Sequence, residues 1–270
     1  YGKEILELEY LPFPNLAEIF LFRKIEANRW ENIVNSLFDI YSKFYLNNKS
    51  KKILLNSSHL YSEKLTKRVN TLNSIIDNFN STLLKKIIND GIKVNNNFIP
   101  SLNNTYIKIE KKLIEIEKER PLYFGHGDLC FNNILIEPIS GNIKLIDPKA
   151  DYINNKIGYM DPFYDLAKLN HSFGCFYDSI VNNMFSISYD IHQYEFKIFK
   201  PLNYDIANFY FKNIFLDKLI DKELLRILTS NLFLSMIPLH KDDEEKMCAL
   251  LIIGISLFYD IELNNFILEE

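Results

Sequence analysis

The stretch YFGHGDLCFNNILIEP, residues 123–138, decides the fold because it joins a Gly-flanked turn to a short apolar run. Asp128 lies in this turn, and Asn133 follows it after four intervening residues. An Asp in a turn is common for local hydrogen-bonding reasons alone. Whether Asp128 has a functional role therefore depends on which other residues the rest of the sequence places near it.

A β-hairpin is predicted immediately after the turn. Residues 134–137 and 143–147 are two β-prone runs, and PISGN between them is a hairpin signal. The second run ends in LIDP, so the hairpin returns Asp147 to the neighbourhood of Asp128 and Asn133. Two carboxylates and one amide oxygen are thus expected to converge at one end of a hairpin.

Oxygen ligands of this kind suit Mg²⁺, which takes a few protein oxygens together with water and phosphate. A zinc site would need His or Cys at defined spacings, whereas the five His are scattered along the chain. In metal-assisted phosphoryl transfer, Asn133 and Asp147 would hold the metal. Asp128 would orient an acceptor hydroxyl and take its proton.

The rest of the chain is predicted to be mainly helical, in one domain, since no linker-like composition break occurs. Residues 3–16 begin as an alternating strand and continue into a non-helical connector at Pro12 and Pro14. A second hairpin is expected at 185–199. Asp161 is interpreted as a helix N-cap and Gly91 as a helix C-cap. Helical periodicity covers residues 27–44, 58–79, 104–120, 204–215, 221–239 and 242–259.

Composition excludes several classes of protein. The chain has 270 residues, of which 47% are hydrophobic, so it is not disordered. Its net charge of −4, without a basic stripe, argues against nucleic-acid binding. The longest apolar run, residues 247–259, is too short for a membrane span and predicts a buried helix. Three cysteines without a C-x-x-C pair favour a reduced, cytoplasmic setting.

The order H-G-D-x-x-x-x-N, apolar hairpin, I-D-P resembles the catalytic and metal loops of a known family. This family is the aminoglycoside phosphotransferase and choline kinase branch of the protein-kinase-like superfamily. DPFYDLAKL, residues 161–169, is similar to its following segment, in which an Asp braces the catalytic loop. Asp165 takes that position. The metal loop reads Asp-Pro-Lys rather than the Asp-Phe-Gly of protein kinases.

LELEYLP, residues 6–12, resembles the hinge strand of that family. The resemblance implies that the hinge backbone pairs with the nucleotide base at Glu9, Tyr10 and Leu11. The matched segments together extend from residue 6 to about residue 178. The C-terminal part of the chain matches only in being helical.

The implied fold is α+β and mainly α: a kinase-like C-terminal lobe with a central catalytic β-hairpin and an N-terminal β-lobe largely missing. Residues 1–14 would be the end of the N-lobe and the hinge, and residues 15–270 the helical C-terminal lobe. Only five residues precede the hinge match, and the eight glycines form no Gly-rich loop. We therefore expect an upstream domain in the same polypeptide, needed for activity.

The implied function is Mg²⁺-dependent transfer of the γ-phosphate of ATP or GTP to a hydroxyl of a small metabolite. The acceptor would be a sugar, an amino alcohol or a surface-polysaccharide precursor. Asp128 would be the catalytic base, with Asn133 and Asp147 as metal ligands. His126 would orient the loop. Lys149 would either contact phosphate or be solvated.

Two other functions remain open at this point. The first is a catalytically incompetent pseudokinase lobe that acts as a scaffold or regulatory module. The missing N-terminal lobe supports it, but a scaffold does not need Asp128, Asn133 and Asp147. An unrelated metal-dependent hydrolase would turn over without nucleotide. Cys130 lies inside the motif and is interpreted as a small packing residue, because nothing nearby in the sequence would activate a thiolate.

Overall fold

The computed structural model describes residues 7, 9–45, 53–54, 60–118, 120–149, 152–153, 156–190, 193–217 and 221–268. The protein is α+β and mainly helical, with 59% helix and 13% strand, which confirms the predicted fold class at this level. Within the ranges given, no helix combines the length and the apolar character needed to cross a membrane.

Ten α-helices are described, together with several single turns of other helix types. The α-helices are α1 Leu16–Phe22, α2 Ala27–Tyr45, α3 Ser62–Ile75, α4 Thr82–Asn89, α5 Leu102–Glu117, α6 Pro162–Phe173, α7 Tyr177–Val181, α8 Tyr204–Phe211, α9 Lys222–Met236 and α10 Glu244–Phe258. The 3-10 turns are Ile76–Asn78, Phe131–Asn133, Ile237–His240 and Leu263–Phe266, and a π turn, Lys212–Leu216, continues α8.

Eleven short strands are described, in four small sheets. They are β1 Ile53–Leu54, β2 Ile92–Val94, β3 Asn97–Ile99, β4 Pro121–Phe124, β5 Ile134–Ile136, β6 Ile143–Leu145, β7 Tyr152–Ile153, β8 Lys156–Ile157, β9 Tyr159–Met160, β10 Phe185–Asp190 and β11 Gln193–Ile198. The sheet orders are β1-β4-β9, β10-β11-β2-β3, β5-β6 and β7-β8. Only β11 and β2 pair in parallel; the other described pairs are antiparallel.

The predicted helices and hairpins are confirmed with small shifts of their ends. Both hairpins form, with Ile134 opposite Leu145 in the first and Phe185 opposite Ile198 in the second. Gly91 follows α4 with φ of +83°, and its N–H donates to the carbonyl of Lys86, as expected of a C-cap glycine. Residues 58–59 of the predicted helix 58–79 lie outside the described residues.

The predicted strand at the N-terminus is not observed in its described part. Residues 1–6 and 8 lie outside the described residues, and 9–14 have no regular secondary structure. A strand needs a hydrogen-bonded neighbour, and no described residue pairs with 9–13 in a ladder. The non-helical connector is confirmed, and Asn15 then caps α1 by accepting a hydrogen bond from the N–H of Glu18 at 2.8 Å.

The core is built around α10, the helix predicted from the apolar run. Every residue from 247 to 257 is buried, and α10 packs against α9, α4 and α5. Burial on all sides is the expected state of a helix that is apolar all round. The N-cap of α10 is Asp243, whose side chain accepts from the N–H of Lys246 at 2.9 Å, one residue after the start of the periodic segment 242–259.

The start of α6 is fixed by a buried ion pair. Asp161 caps the helix by accepting from the N–H of Phe163, which confirms the sequence prediction. Its carboxylate also receives two hydrogen bonds from the Arg120 guanidinium, at 2.7 and 2.8 Å, and one from the hydroxyl of Tyr61 at 3.0 Å. A bidentate Arg–carboxylate pair is geometrically specific. It therefore sets where α6, and Asp165 on it, lie relative to β4.

Candidate active site

The hairpin β5–β6 joins two loops, 126–133 before it and 146–149 after it, and three hydrogen bonds fasten them to each other. The N–H of Ile146 donates to the carbonyl of Asn133 at 3.0 Å, and the N–H of Lys149 donates to the carbonyl of His126 at 2.8 Å. The His126 ring contacts the carbonyl of Ile146 through Nε2 at 3.0 Å. Asp128 and Asp147 thus lie on loops that cannot move independently.

Asp128 is held by contacts to both its backbone and its carboxylate. The Nδ2 group of Asn133 donates to the Asp128 carbonyl at 2.9 Å and to its Oδ2 at 3.4 Å. The ammonium of Lys168 lies 2.9 Å from Oδ1 and forms an ion pair. The Asp128 side chain keeps 34% exposure, against 12% for Lys168, although Oδ1 of Asp128 is itself buried against the ammonium.

His126 acts on the loop through both ring nitrogens. Nε2 contacts a carbonyl, which can only accept, so this nitrogen carries the proton. Nδ1 then accepts from the N–H of Asp128 at 3.3 Å. The ring is buried, and both nitrogens are used within the two loops. The ring thus links the 146–149 loop to the backbone N–H of Asp128.

Asp165 is fully buried beneath the loop and accepts three hydrogen bonds. The donors are the N–H of Gly127 at 3.0 Å, the N–H of Leu129 at 3.1 Å and the hydroxyl of Tyr45. Burial raises the pKa of Asp165 above its ordinary value, although Tyr45 and the two N–H groups oppose this rise by stabilising the charge. Asp165 therefore braces the peptide units on both sides of Asp128.

Asp147 adopts a left-handed backbone conformation with φ of +54°. Non-glycine residues with positive φ are uncommon and concentrate at functional sites. The residues around it are fastened at Ile146 and Lys149, and its own side chain is exposed. An exposed carboxylate on an anchored, strained turn is free to bind a ligand.

The oxygen donors available here fit Mg²⁺. Because Asn133 uses its Nδ2 group on Asp128, its Oδ1 is the atom left for a cation, and Asp147 supplies a carboxylate. No group of three or more His, Cys, Asp or Glu side chains suited to a metal occurs in the described part of the chain. Mg²⁺ needs no such cage, since it is commonly held by one or two protein oxygens with phosphate and water.

A cleft of about 530 Å³ opens beside the two loops. Its charged lining comprises Asp128, Asp147, Lys64, Arg68, Lys149 and Lys168. Tyr164 also lines it. Burial would raise the pKa of Tyr164, but the ammonium groups of Lys168, Lys64 and Lys149 lower it below its ordinary value. Burial likewise opposes the charge of Lys168, yet Tyr164 and Asp128 raise its pKa overall. The cleft is electropositive despite its two carboxylates.

The hinge candidates lie apart from this cleft. Glu9 and Tyr10 are exposed and Leu11 is partly buried; none of the three lines the cleft. The chain then reaches the hairpin, where the carbonyl of Pro14 accepts from the N–H of Ile136 at 3.0 Å. The structure thus brings six of the predicted site residues together around the two loops: Asp128, Asn133, Asp147, His126, Asp165 and Lys149. The hinge candidates lie outside this group, on the segment that leads to the hairpin.

Lys168 and Tyr45, like the cleft-lining Lys64, Arg68 and Tyr164, were not predicted from the sequence. Lys168 lies three residues after Asp165 in the quoted DLAKL stretch, one helical turn along α6, and this spacing was an available signal. Tyr45 is far from the motif in sequence and gave no local signal. The packing interpretation of Cys130 agrees with its surroundings, because burial and the charge of Asp128 raise the pKa of its thiol to about 11.

The chain was compared with known proteins by sequence family and by structure. No protein-family model, curated protein or solved structure gives a significant match.

Proposed function

We propose that the chain is a small-molecule kinase whose described helices form a kinase-like C-terminal lobe. It would transfer the γ-phosphate of ATP or GTP to a hydroxyl of a small metabolite, with Mg²⁺, in the cytoplasm. In this assignment residues 15–270 form the lobe, and the backbone of Glu9, Tyr10 and Leu11 contacts the base. The observation that carries the proposal is the fastening of the Asp128 loop to the Asp147 loop by the hairpin between them.

Asp128 is the base in this proposal. Its carboxylate accepts the proton of the acceptor hydroxyl as the hydroxyl oxygen forms a bond to the γ-phosphorus. The bond from that phosphorus to the bridging oxygen breaks, and the nucleoside diphosphate leaves with the electron pair. Lys168 positions the carboxylate from 2.9 Å, and Asn133 holds it from the other side.

The oxygens of Asn133 and Asp147 would hold the metal, which when bound neutralises charge on the nucleotide phosphates. Lys149 adds a further positive charge in the same cleft. His126 and Asp165 touch neither reactant and act by fixing the loop. Transition states of this type are stabilised mainly by position and charge, which a loop held at both ends supplies.

Calorimetric titration of ATP and GTP with Mg²⁺ tests the assignment. Asp147→Ala should abolish Mg²⁺-dependent nucleotide binding, because it removes the carboxylate ligand. Asp128→Ala should leave that affinity intact and lower turnover by about 10²–10⁴. Asp205→Ala, which removes a largely exposed carboxylate on α8, is the matched control and should change neither quantity.

Three results would contradict the proposal. Tight metal-dependent nucleotide binding by Asp147→Ala would remove the metal assignment. Absence of nucleotide binding by the wild-type chain, and by the chain extended upstream, would favour a scaffold function. Hydrolytic turnover that does not require a nucleotide would identify a metal-dependent hydrolase instead.

A further inference from the structure

One wall of the cleft is formed by helix α3 and the C-terminal helices. Lys64 and Arg68 lie one turn apart on α3, and both line the cleft. Helix α3 packs against α9 and against the 3-10 turn Ile237–His240. This wall is distinct from the two loops that carry Asp128 and Asp147. It belongs to the part of the chain whose sequence offers no motif.

The two cations on this wall have no carboxylate partners. Arg68 makes no ion pair or hydrogen bond with any residue that the structure describes. The ammonium of Lys64 donates to the hydroxyl of Tyr164 at 3.0 Å, and no described carboxylate lies within ion-pair distance of it. Like charges four residues apart on a helix destabilise it slightly. Helix stability therefore does not explain the pair.

The charge of the cleft is opposite to that of the whole protein. Four cations and two carboxylates line it, while the chain carries a net charge of −4. Lys168 is already paired with Asp128. The lowered pKa of Tyr164, against the effect of its burial, reflects the positive potential that Lys168, Lys64 and Lys149 create at one oxygen of this cleft.

We propose that the hydroxyl acceptor carries an anionic group, a phosphate or a carboxylate, which Lys64 and Arg68 bind while Asp128 engages the hydroxyl. The assignment of this anion to an acceptor rests on the proposed phosphotransferase function. A guanidinium presents paired N–H donors that match the oxygens of a phosphate or carboxylate, and an adjacent ammonium adds charge. The acceptor is therefore an acidic metabolite and not a neutral or cationic one.

Binding of simple anions tests the site without nucleotide. Inorganic phosphate and acetate are titrated separately into the wild-type chain, Arg68→Gln and the matched control Lys111→Gln, at low ionic strength. Lys111 is an exposed cation on α5, outside the cleft. We expect Arg68→Gln to weaken anion binding about tenfold or more, with Lys111→Gln unchanged. Stronger binding of phosphate than of acetate identifies a phosphorylated acceptor, and the reverse a carboxylated one.

Two results overturn the anion site: no binding of either anion by the wild type, and equal binding by wild type and Arg68→Gln. Arg68 has no hydrogen-bond or ion-pair partner among the described residues, so its substitution removes charge without breaking a polar contact that the structure describes. Arg68→Lys provides a second check. It retains the charge and should recover part of the lost affinity.

Titration of Mg²⁺–ATP into the same variants tests this inference separately from the proposed function. Asp147→Ala should lose Mg²⁺–ATP binding and retain inorganic phosphate binding. If Arg68→Gln loses Mg²⁺–ATP as strongly as phosphate, the α3 cations bind the nucleotide and the acceptor inference is wrong. If the wild type binds phosphate through Arg68 but neither this chain nor the chain extended upstream binds Mg²⁺–nucleotide, the phosphotransferase function fails and the anion site remains.

Discussion

Asp165 accepts hydrogen bonds from the peptide N–H groups on both sides of Asp128, one carboxylate oxygen to each. Oδ2 accepts from Gly127 at 3.0 Å and Oδ1 from Leu129 at 3.1 Å. These two hydrogen bonds to the buried Asp165 hold the backbone on either side of Asp128, while the Asp128 side chain stays partly exposed. Each carboxylate oxygen thus faces one of the two N–H groups, so both oxygens are used as acceptors.

Asp165→Asn should remove one of the hydrogen bonds to this backbone while leaving a side chain of nearly the same size in the buried position. The amide offers one accepting oxygen, so either Gly127 or Leu129 loses its partner. A buried unpaired N–H costs about 1–3 kcal/mol. We expect faster amide hydrogen exchange, measured by NMR, at whichever of residues 127 and 129 faces the amide nitrogen. Asp205→Asn, on a largely exposed side chain, is the control and should leave both rates unchanged. Unchanged exchange in Asp165→Asn would show that the carboxylate does not hold the loop.

Tyr45→Phe tests the third donor to Asp165. The substitution removes only the hydroxyl that bonds to Oδ2, and the ring of Tyr45 stays packed against Tyr41. Because a charged acceptor then loses a buried donor, we expect the free energy of unfolding to fall by about 1–3 kcal/mol in urea titrations. Tyr10→Phe, at an exposed position, should change it by less than about 0.5 kcal/mol. Equal values for the two variants would contradict this prediction.

The sequence predicts the two loops and the hairpin well because their signals are local. The distance between Asp128 and Asn133 is set by a few residues of turn, and a hairpin must return its second strand to the start of the first. The apolar run at 247–259 is also a local signal. It predicts a buried helix without any need to know which elements pack against it.

The contacts that come from distant elements could not be predicted in this way. Helical periodicity along α2 is compatible with an inward face through Ile40 and Phe44, whereas Tyr41 and Tyr45 are the buried residues. A one-residue error rotates a helical face by about 100°, and both patterns satisfy the apolar period. On the observed face, Tyr45 donates a hydrogen bond to Asp165, a partner 120 residues away that helical periodicity cannot indicate. The cations of α3 reach the cleft through packing that is equally non-local.

Asp178 should make stability depend on pH. Burial raises its pKa from 3.8 to about 6, opposed by Ser172 and Lys168, and its Oδ2 has no hydrogen-bond partner among the described residues. The folded chain therefore binds this proton more tightly than the unfolded chain. The cost of the charge is present above about pH 6 and disappears as the pH falls toward 3.8.

Replacing this carboxylate by an amide should remove that cost. We expect Asp178→Asn to raise the free energy of unfolding at pH 8 by up to about 3 kcal/mol, the equivalent of the pKa difference. The gain over wild type should shrink through pH 6 and vanish near pH 4. Urea unfolding of both proteins at each pH measures it, and comparing the two cancels the titration of other carboxylates. A gain that does not vary with pH would exclude this explanation.

Gly127 joins His126 to Asp128 in a conformation that a side chain resists. Its φ is +80°, and an added Cβ would lie 2.8 Å from Cβ of Lys149 and 3.0 Å from Cε of Met160. Lys149 cannot easily yield, because its N–H is bonded to the carbonyl of His126. Gly127→Ala therefore carries two separate costs, one from the backbone conformation and one from the contact with the second loop.

Gly141 separates these costs because it has a similar φ, +75°, with nothing within 4 Å of an added Cβ. We expect Gly141→Ala to lower the free energy of unfolding by about 1 kcal/mol, the conformational cost alone. Gly127→Ala should lower it by about 1–3 kcal/mol more, because the Cβ pushes the two loops apart. It should also weaken Mg²⁺–nucleotide binding, whereas Gly141→Ala should not. Equal losses of stability, with nucleotide binding intact in both, would mean that the close approach of the two loops is dispensable.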